Sequence, residues 1–329
     1  MTFNELEEIR KNYAKKQRKI SLIIVVAVIA VTAIAVMVAG DFSVGVTALI
    51  LGIVVGLIVE TFATVKDAKV YRKAYKSYFV ETTMRKYFTD LNYSHERGMP
   101  RAILTATGMI NTGDNYYSND FTMGKYRGTT FLQADVKIED EYTDSDGDRH
   151  TVTLFSGRWM AFEFPKKFNF RIMIKGKRGG NILMKKKRDG EKRRKYERIE
   201  VESGEFNKLF KLYAEDGFET FYLLDPVFIR NITELGEESQ GRILLCFVDN
   251  WLHIGINNYE DSFEPPRKIS RALDEQVEFQ KVEREVKTVT KFVDRLKLET
   301  KIWENDSDLG TNALGETNPG ISAAGIIAG

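Results

Sequence analysis

Two long apolar runs near the start of the chain limit most strongly what it can fold into. Residues 20–39 and 42–59 contain no charged side chain, and only Gly40 and Asp41 separate them. A helix needs about 20 apolar residues to cross roughly 30 Å of hydrocarbon. Because the combined run is about twice that length, we predict a transmembrane hairpin of two helices over residues 20–62 rather than one bent helix.

The flanks of this hairpin predict its orientation. Basic residues crowd both outer boundaries, at positions Arg10, Lys11, Lys15, Lys16, Arg18, Lys19, Lys66, Lys69, Arg72, Lys73 and Lys76. Basic flanks stay in the cytoplasm, so both termini are expected there and the turn at Gly40 and Asp41 outside. A cleaved signal peptide is disfavoured. The apolar run of a signal peptide spans about 7–15 residues, whereas the first run of this chain is longer and a second apolar run follows it at once.

Small residues on the second span predict how the two helices pack. Ala48, Gly52 and Gly56 recur every four residues, a spacing that lets helix backbones approach closely. We expect a matching face on the first span from Ala27, Ala30, Ala35 and Ala39, although small residues are also simply common in membrane helices. Both spans lack ionisable groups, which mark ion and proton pathways, and this disfavours a transporter or channel.

The remaining chain divides into segments of different character, which together predict an α+β protein. A β-rich region of short strand-like runs at 128–139, 151–156, 159–164 and 170–174 is predicted to be antiparallel, because the connections are too short for crossover helices. Asp146–Gly147 and Asp249–Asn250 are predicted hairpin turns. The predicted segments are an amphipathic basic leader on the membrane surface (1–19), the hairpin (20–62), a helical stalk (63–98), an antiparallel β-rich cytoplasmic domain (99–266), a long C-terminal coiled-coil-like helix (267–303) and a disordered tail (304–329).

The most basic stretch, residues 166–198, is the candidate ligand-binding segment. Its candidate lipid-binding residues are Lys166, Lys167, Lys185, Lys186, Lys187, Arg188, Arg193, Arg194 and Lys195. Close to an anionic membrane each such residue contributes about 1 kcal/mol, so anionic lipid headgroups are the predicted partner. Nucleic acid is disfavoured because no recognised nucleic-acid-binding motif accompanies the charge. A solvated loop without a partner is the remaining alternative.

Residues able to perform chemistry are sparse. The single cysteine, Cys246, lies in an apolar run and fits a small buried residue in a reducing compartment better than a nucleophile. His253 alternates with Leu252 and Ile254, which predicts a residue on the polar face of a strand rather than a metal ligand. We therefore assign no catalytic residue, metal site or cofactor.

The C-terminal helix carries an apolar seam. Phe279, Val282, Val286, Val289, Val293 and Leu296 repeat at alternating three and four residues. Such a seam pairs with another helix. The sequence leaves open whether that helix is the stalk of the same chain, another protein, or a second copy in a homo-oligomer formed through 267–303.

Two blocks of sequence resemble a known family. They run from Phe206 through Phe228, including Tyr222–Leu223–Leu224–Asp225–Pro226, and from Ile243 to Ile256 followed by Phe263 and Glu264. With the two spans and the run ending at residues 164–168, this order resembles the bacterial domain-of-unknown-function 3137 family over roughly residues 10–266. The resemblance implies a protein of the bacterial inner membrane and no particular chemistry.

Two functions from different classes remain. The first is a membrane-anchored, non-enzymatic interaction module that binds anionic lipid or a protein. The alternative is a membrane-tethered enzyme whose active site cannot be recognised in the sequence, since catalytic groups need not be neighbours along the chain.

Overall fold

The computed structural model describes residues 1–177 and 196–298, and its fold is α+β. A π-helical turn, Lys76–Glu81, links the second and third helices. The helices are α1 (Phe3–Ala39), α2 (Phe42–Tyr75), α3 (Thr82–Tyr87), α4 (Arg101–Thr107), α5 (Gly204–Leu209), α6 (Gly217–Leu223), α7 (Pro226–Glu238) and α8 (Glu275–Leu296). The strands are β1 (Thr89–Ser94), β2 (Asn115–Tyr126), β3 (Thr129–Thr143), β4 (Arg149–Gly176), β5 (Glu197–Ile199), β6 (Phe210–Ala214) and β7 (Arg242–Asn257).

Helices α1 and α2 pack on each other as the predicted hairpin, and both are long and apolar enough to cross a membrane. Gly40 ends α1 in the left-handed conformation, with φ of 63°, and its N–H bonds to Val36 O. Asp41 then caps α2 by accepting a hydrogen bond from the Ser43 N–H at 2.8 Å. The tight turn follows from these two residues, since glycine tolerates positive φ and aspartate is a good helix cap.

The close approach of α1 and α2 depends on glycines facing branched side chains. A Cβ at Gly56 would lie 2.4 Å from Ile24 Cγ2, and one at Gly52 would lie 3.1 Å from Val28 Cγ1. Gly45, which the sequence analysis did not select, faces Val36 in the same way. The expected alanine face on α1 is wrong, because branched side chains of α1 fill the space that the glycines leave. Ala48 and Ala35 are half-buried, whereas Ala27, Ala30 and Ala39 are exposed.

The leader differs from the expected surface helix. Residues 3–19 are the first part of α1 and continue without a break into the apolar run. Thr2 and Glu5 form a capping box that starts the helix, with each side chain bonding the other residue's backbone N–H. Leu6 is fully buried, because this part of α1 packs against protein.

The chain forms two compact units, and the first contains Met1–Lys86 and Phe263–Glu285. Within this unit the stalk aromatics pack against the first part of α8, which is one of the three pairings that the apolar seam left open. The Tyr75 hydroxyl donates to Glu278 at 2.6 Å, and the rings of Phe79 and Phe279 lie 4.8 Å apart. The stalk is shorter than expected, because α3 ends at Tyr87 and the chain turns into β1.

The described residues of the second unit are 87–177, 196–262 and 286–298, and they are built on one antiparallel sheet of seven strands. The strand order is β1-β2-β3-β4-β6-β5, and β7 pairs with the other edge of β4. Gly157 illustrates this central position of β4, since it lies opposite Val136 on one side and Asn257 on the other. The predicted turn at Asp146–Gly147 is confirmed, because Thr143 pairs with Arg149.

Two strand predictions in this sheet are wrong. The three runs between 151 and 174 belong to the single strand β4, and Asp249–Asn250 lies inside the continuous strand β7 rather than in a hairpin turn. Asp249 has φ of 53° and lies opposite Phe168, where the register between β4 and β7 shifts on both sides. A bulge at this position therefore interrupts the alternation of side chains along β4 and β7. In the sequence this interruption was interpreted as the ends of separate strands.

Helices cover both faces of the sheet. On one face α4 and the residues after it pack Leu104 and Met109 into a core with Trp159 and Cys246. On the other face Phe228 of α7 lies 5.8 Å from the Phe247 ring, and Phe292 of α8 lies 6.5 Å from the Phe162 ring. The later part of the α8 seam, at Val286, Val289, Val293 and Leu296, is buried within the chain.

Candidate binding groove

A groove of about 580 Å³ lies among α5, α6 and α7 in the second unit. This volume is in the range of protein pockets that bind small ligands. One wall is the stretch from Val201 to Glu205, the other is the outer side of α7, and α6 borders one end.

Helix α7 is positioned by its cap and its apolar face. Asp225 accepts a hydrogen bond from the Phe228 N–H at 2.7 Å, and Pro226 occupies the first helical position, so the predicted helix start is confirmed. Phe228, Ile232 and Leu235 are buried toward the sheet. The opposite side of the helix, with Arg230, Glu234 and Glu237 at helical spacing, therefore faces the groove.

Hydrogen bonds hold the facing wall in place. Asn207 binds the backbone of Val201 twice, with its Nδ2 donating to Val201 O at 2.6 Å and its Oδ1 accepting from Val201 N at 3.4 Å. Ser203 caps the short helix α5 by accepting from the Phe206 N–H at 3.3 Å. This arrangement fixes the backbone that carries Glu202 and Glu205 at the groove.

The floor of the groove is apolar and its edge is aromatic. Val201, Leu224, Ile229 and Thr233 are buried and line it. The Thr233 hydroxyl already donates to Ile229 O at 2.7 Å, so it makes the floor no more polar. On α6, Phe221 is 55% exposed at the groove and Phe218, one turn earlier, is 73% exposed.

The rim of the groove is acidic. Among the described residues, Glu202, Glu205, Glu234 and Glu237 line it together with Arg230, which gives four negative formal charges against one positive charge. Glu234 pairs with Arg295 of α8. The groove can therefore bind an apolar group while attracting positive charge around it.

Away from the groove, the face of the sheet under α4 buries two reactive side chains. Lys175 donates from Nζ to Met109 O at 3.0 Å, and the Cys246 thiol contacts Thr107 O at 3.6 Å. Burial, reinforced by Arg242, lowers the pKa of Lys175 to about 8, whereas burial raises the pKa of Cys246 to about 12. Cys246 is therefore a protonated core thiol at neutral pH, as its sequence context predicted.

His253 is a core residue rather than the polar-face residue that we expected. Only 5% of it is exposed, and its Nδ1 accepts a hydrogen bond from Trp159 Nε1 at 3.4 Å. Burial, followed by the charge of Arg171, lowers the pKa of His253 to about 3. The imidazole is consequently neutral at physiological pH and has no access to solvent.

A buried acidic side chain of β3, Asp135, binds the loop that follows β7. Asp135 accepts hydrogen bonds from the Ser262 N–H at 2.7 Å and the Ser262 hydroxyl at 2.9 Å. Arg158 donates to the same Ser262 hydroxyl at 3.1 Å. Burial raises the pKa of Asp135 although the charge of Arg158 opposes that rise. These contacts tie the loop to β3 and β4, which is a structural role.

Of the candidate lipid-binding residues, the structure places two. Lys166 and Lys167 lie within β4, where the register with β7 shifts, and Lys167 is exposed. Lys185, Lys186, Lys187, Arg188, Arg193, Arg194 and Lys195 lie outside the described residues. The lipid interaction stays a prediction.

The groove was not among the sites predicted from the sequence. One usable signal was the second face of α7, where Arg230, Glu234 and Glu237 follow the spacing i, i+4, i+7. A second usable signal was the pair of aromatic residues Phe218 and Phe221, three positions apart before α7. Their meaning depends on how α5 and α6 pack beside α7, and hydrophobic periodicity does not give that packing.

Comparison with known proteins places part of this chain in a family. Residues 153–298 match the model of DUF3137, a protein of unknown function, and the match includes α8 but not the hairpin, unlike the 10–266 range inferred from sequence. No curated protein matches the chain. The crystal structure of the mycobacterial trehalose monomycolate transport factor A, TtfA, is similar to this chain, with 9% sequence identity and a TM-score of 0.35. The similarity covers 67% of this chain and 93% of that chain. A similarity of this size supports no functional inference. The chain therefore contains a DUF3137 family domain at residues 153–298.

Proposed function

We propose that this protein is a membrane-anchored, non-enzymatic interaction module whose binding groove lies in its sheet domain. The observation that carries the proposal is the exposure of Phe221 beside an apolar floor, with Phe218 exposed one turn earlier on the same helix. Exposed aromatic residues around a preformed concave surface mark interaction sites, because leaving them in water is unfavourable.

The buried polar groups favour binding over catalysis. Cys246, His253 and Lys175 would be the natural candidates for nucleophile, base and electrophile. Each is buried under α4 or between strands and bonded to protein atoms. In the part of the chain that the structure describes, the groove itself presents carboxylates, one guanidinium and apolar groups, which suit recognition.

The orientation of the anchor belongs to this proposal. Basic residues flank both outer ends of the hairpin, so the termini and the sheet domain are assigned to the cytoplasmic side. Single cysteines introduced at Gly40 and at Lys211, in a Cys246→Ala background, test this assignment in intact cells. A membrane-impermeant maleimide should label position 40 and spare position 211, and the reverse pattern would overturn the orientation.

Site-specific photo-crosslinking tests the groove in the full-length protein in its native membrane. A benzoylphenylalanine at position 221 should give discrete adducts, whereas the same group at Tyr142, which is 54% exposed on the β3–β4 hairpin, should not. Phe218→Ser should abolish the adducts, and Tyr117→Ser, at another exposed aromatic position, should leave them. Identical adduct patterns at 221 and 142 would contradict a binding role for the groove.

A further inference from the structure

We propose that the occupant of the groove is a basic peptide segment of a partner protein, with apolar side chains on the floor and Lys or Arg side chains on the rim. This inference rests on the proposed function and adds the chemistry of the partner. Three features of the groove support this occupant: its apolar floor, its acidic rim, and the ion pairs that carboxylates of α7 already make within the chain.

The floor requires apolar anchors. Val201, Leu224 and Ile229 present hydrocarbon to the groove, and Phe221 extends this surface toward solvent. Apolar side chains that leave water on such a surface bind more tightly in proportion to the apolar area that they bury. A purely ionic ligand would leave this floor uncovered, so the occupant must carry apolar groups.

The rim requires positive charge. Glu202 and Glu205 lie on one wall, and Glu234 and Glu237 lie on the other, so a bound segment meets carboxylates on both sides. Phosphate groups of anionic lipid or nucleic acid would be repelled from such a rim. Complementary charge selects the partner and speeds association, and salt weakens both effects.

The ion pairs between α7 and α8 show which side chains the carboxylates of α7 bind. Arg295 binds Glu234 and also binds Glu238 at 3.2 Å, and Lys291 binds Glu238. Glu237 lies on the same helix but faces the groove instead of α8. A partner's Arg or Lys at Glu237 would repeat across an interface the contact that α8 makes within the chain.

The test uses the full chain in nanodiscs of neutral lipid, so that the membrane does not attract the probe. The probe is a fluorescein-labelled peptide of Leu and Lys with leucines at i, i+3, i+4 and i+7, and its control carries Glu in place of Lys. Fluorescence anisotropy should show micromolar binding of the basic peptide only. Raising the salt to about 0.5 M should weaken this binding about tenfold, a readout that needs no variant.

Charge reversal locates the binding. The double variant Glu205→Lys/Glu237→Lys should weaken the basic peptide at least about tenfold, whereas Glu163→Lys, at an exposed glutamate of β4 outside the groove, should leave it unchanged. Circular dichroism and tryptophan fluorescence should be the same for all three proteins. Equal binding of the acidic control peptide, or an unchanged affinity in the double variant, would overturn the proposal.

Two further results separate this inference from the proposed function. If deletion of residues 178–195 raises the peptide's affinity about tenfold or more, the chain's own basic segment occupies the groove and an external basic partner is the wrong assignment. If the adducts at position 221 persist while the basic peptide fails to bind, the groove binds a partner of different chemistry and only the present inference fails. Absence of those adducts would contradict the proposed function itself.

Discussion

The indole Nε1–H of Trp159 donates a hydrogen bond to Nδ1 of His253 at 3.4 Å, linking the paired strands β4 and β7 inside the core. An Nδ1 atom that accepts a hydrogen bond carries no proton. Folding of the sheet domain is therefore linked to the protonation of the His253 ring. The sequence showed a histidine among apolar residues, and only the pairing of β4 with β7 supplied its partner.

Acid should therefore destabilise the sheet domain through His253. The pKa of His253 is about 3 in the folded state and its ordinary value is 6.5. Below pH 6.5 this histidine therefore binds a proton in the unfolded chain but not in the folded chain. Wild type should lose roughly 2 kcal/mol relative to His253→Gln between pH 6.5 and 4.5. Urea unfolding in detergent, followed by tryptophan fluorescence, measures this difference. Parallel pH profiles for the two proteins would contradict it.

Lys175 should produce the same trend, stability that increases with pH, in the alkaline range. Its folded-state pKa is lowered from 10.5 to about 8, so between these values the unfolded chain holds a proton that the folded chain has released. Stability contributed at this site should rise as the pH increases from 8 to 10.5, by on the order of 1–3 kcal/mol. The comparison is wild type against Lys175→Met over this range, with Lys211→Met, at an exposed lysine of β6, as the matched control. A constant difference between wild type and Lys175→Met would show that the amine is not desolvated.

The cap of α7 should contribute measurably to stability. Asp225→Ala removes the hydrogen bond to the Phe228 N–H and should cost about 1 kcal/mol, whereas Asp225→Asn keeps an acceptor and should cost much less. The free energy of unfolding of the sheet domain is the quantity to compare. Equal losses in the two variants would mean that the carboxylate charge, and not the cap, matters.

Gly56 should control packing of the hairpin. In Gly56→Ala the new Cβ meets Ile24 Cγ2 at 2.4 Å, which should destabilise the helix pair by about 1–3 kcal/mol. Adding Ile24→Ala removes that methyl group and should restore part of the loss. The SDS mole fraction that separates the helices can be followed by energy transfer between dyes on cysteines at positions 19 and 66, in a Cys246→Ala background. No rescue in the double variant would refute this contact.

The predicted lipid interaction of residues 166–195 can be tested on the full chain in nanodiscs. Acetylation of Lys185, Lys186 and Lys187, measured by mass spectrometry, should be slower in anionic than in neutral nanodiscs, and high salt should remove the difference. Lys211 on β6 is exposed and provides the internal control. Equal rates in the two lipids at low salt would exclude this membrane contact.

Local patterns predicted several elements of this fold correctly. The two apolar runs gave the hairpin, Asp225 followed by Pro226 gave the start of α7, and Asp146–Gly147 gave the turn between β3 and β4. Each of these rests on residues that are neighbours in sequence. The failures came where a partner distant in sequence decides the structure, as at Asp249, whose positive φ depends on the register with β4.

The sequence by itself determined that two apolar helices precede an α+β domain, because helix length, hydropathy and capping are local properties. Tertiary structure alone decided which side chains of α1 face Gly52 and Gly56, which partner neutral His253 has, and that the walls beginning at Val201 and Pro226 enclose a groove. The physical reason is that burial, pKa and concavity depend on atoms brought together from distant parts of the chain. Periodicity indicates which face of a helix or strand is apolar, and packing then decides what that face meets.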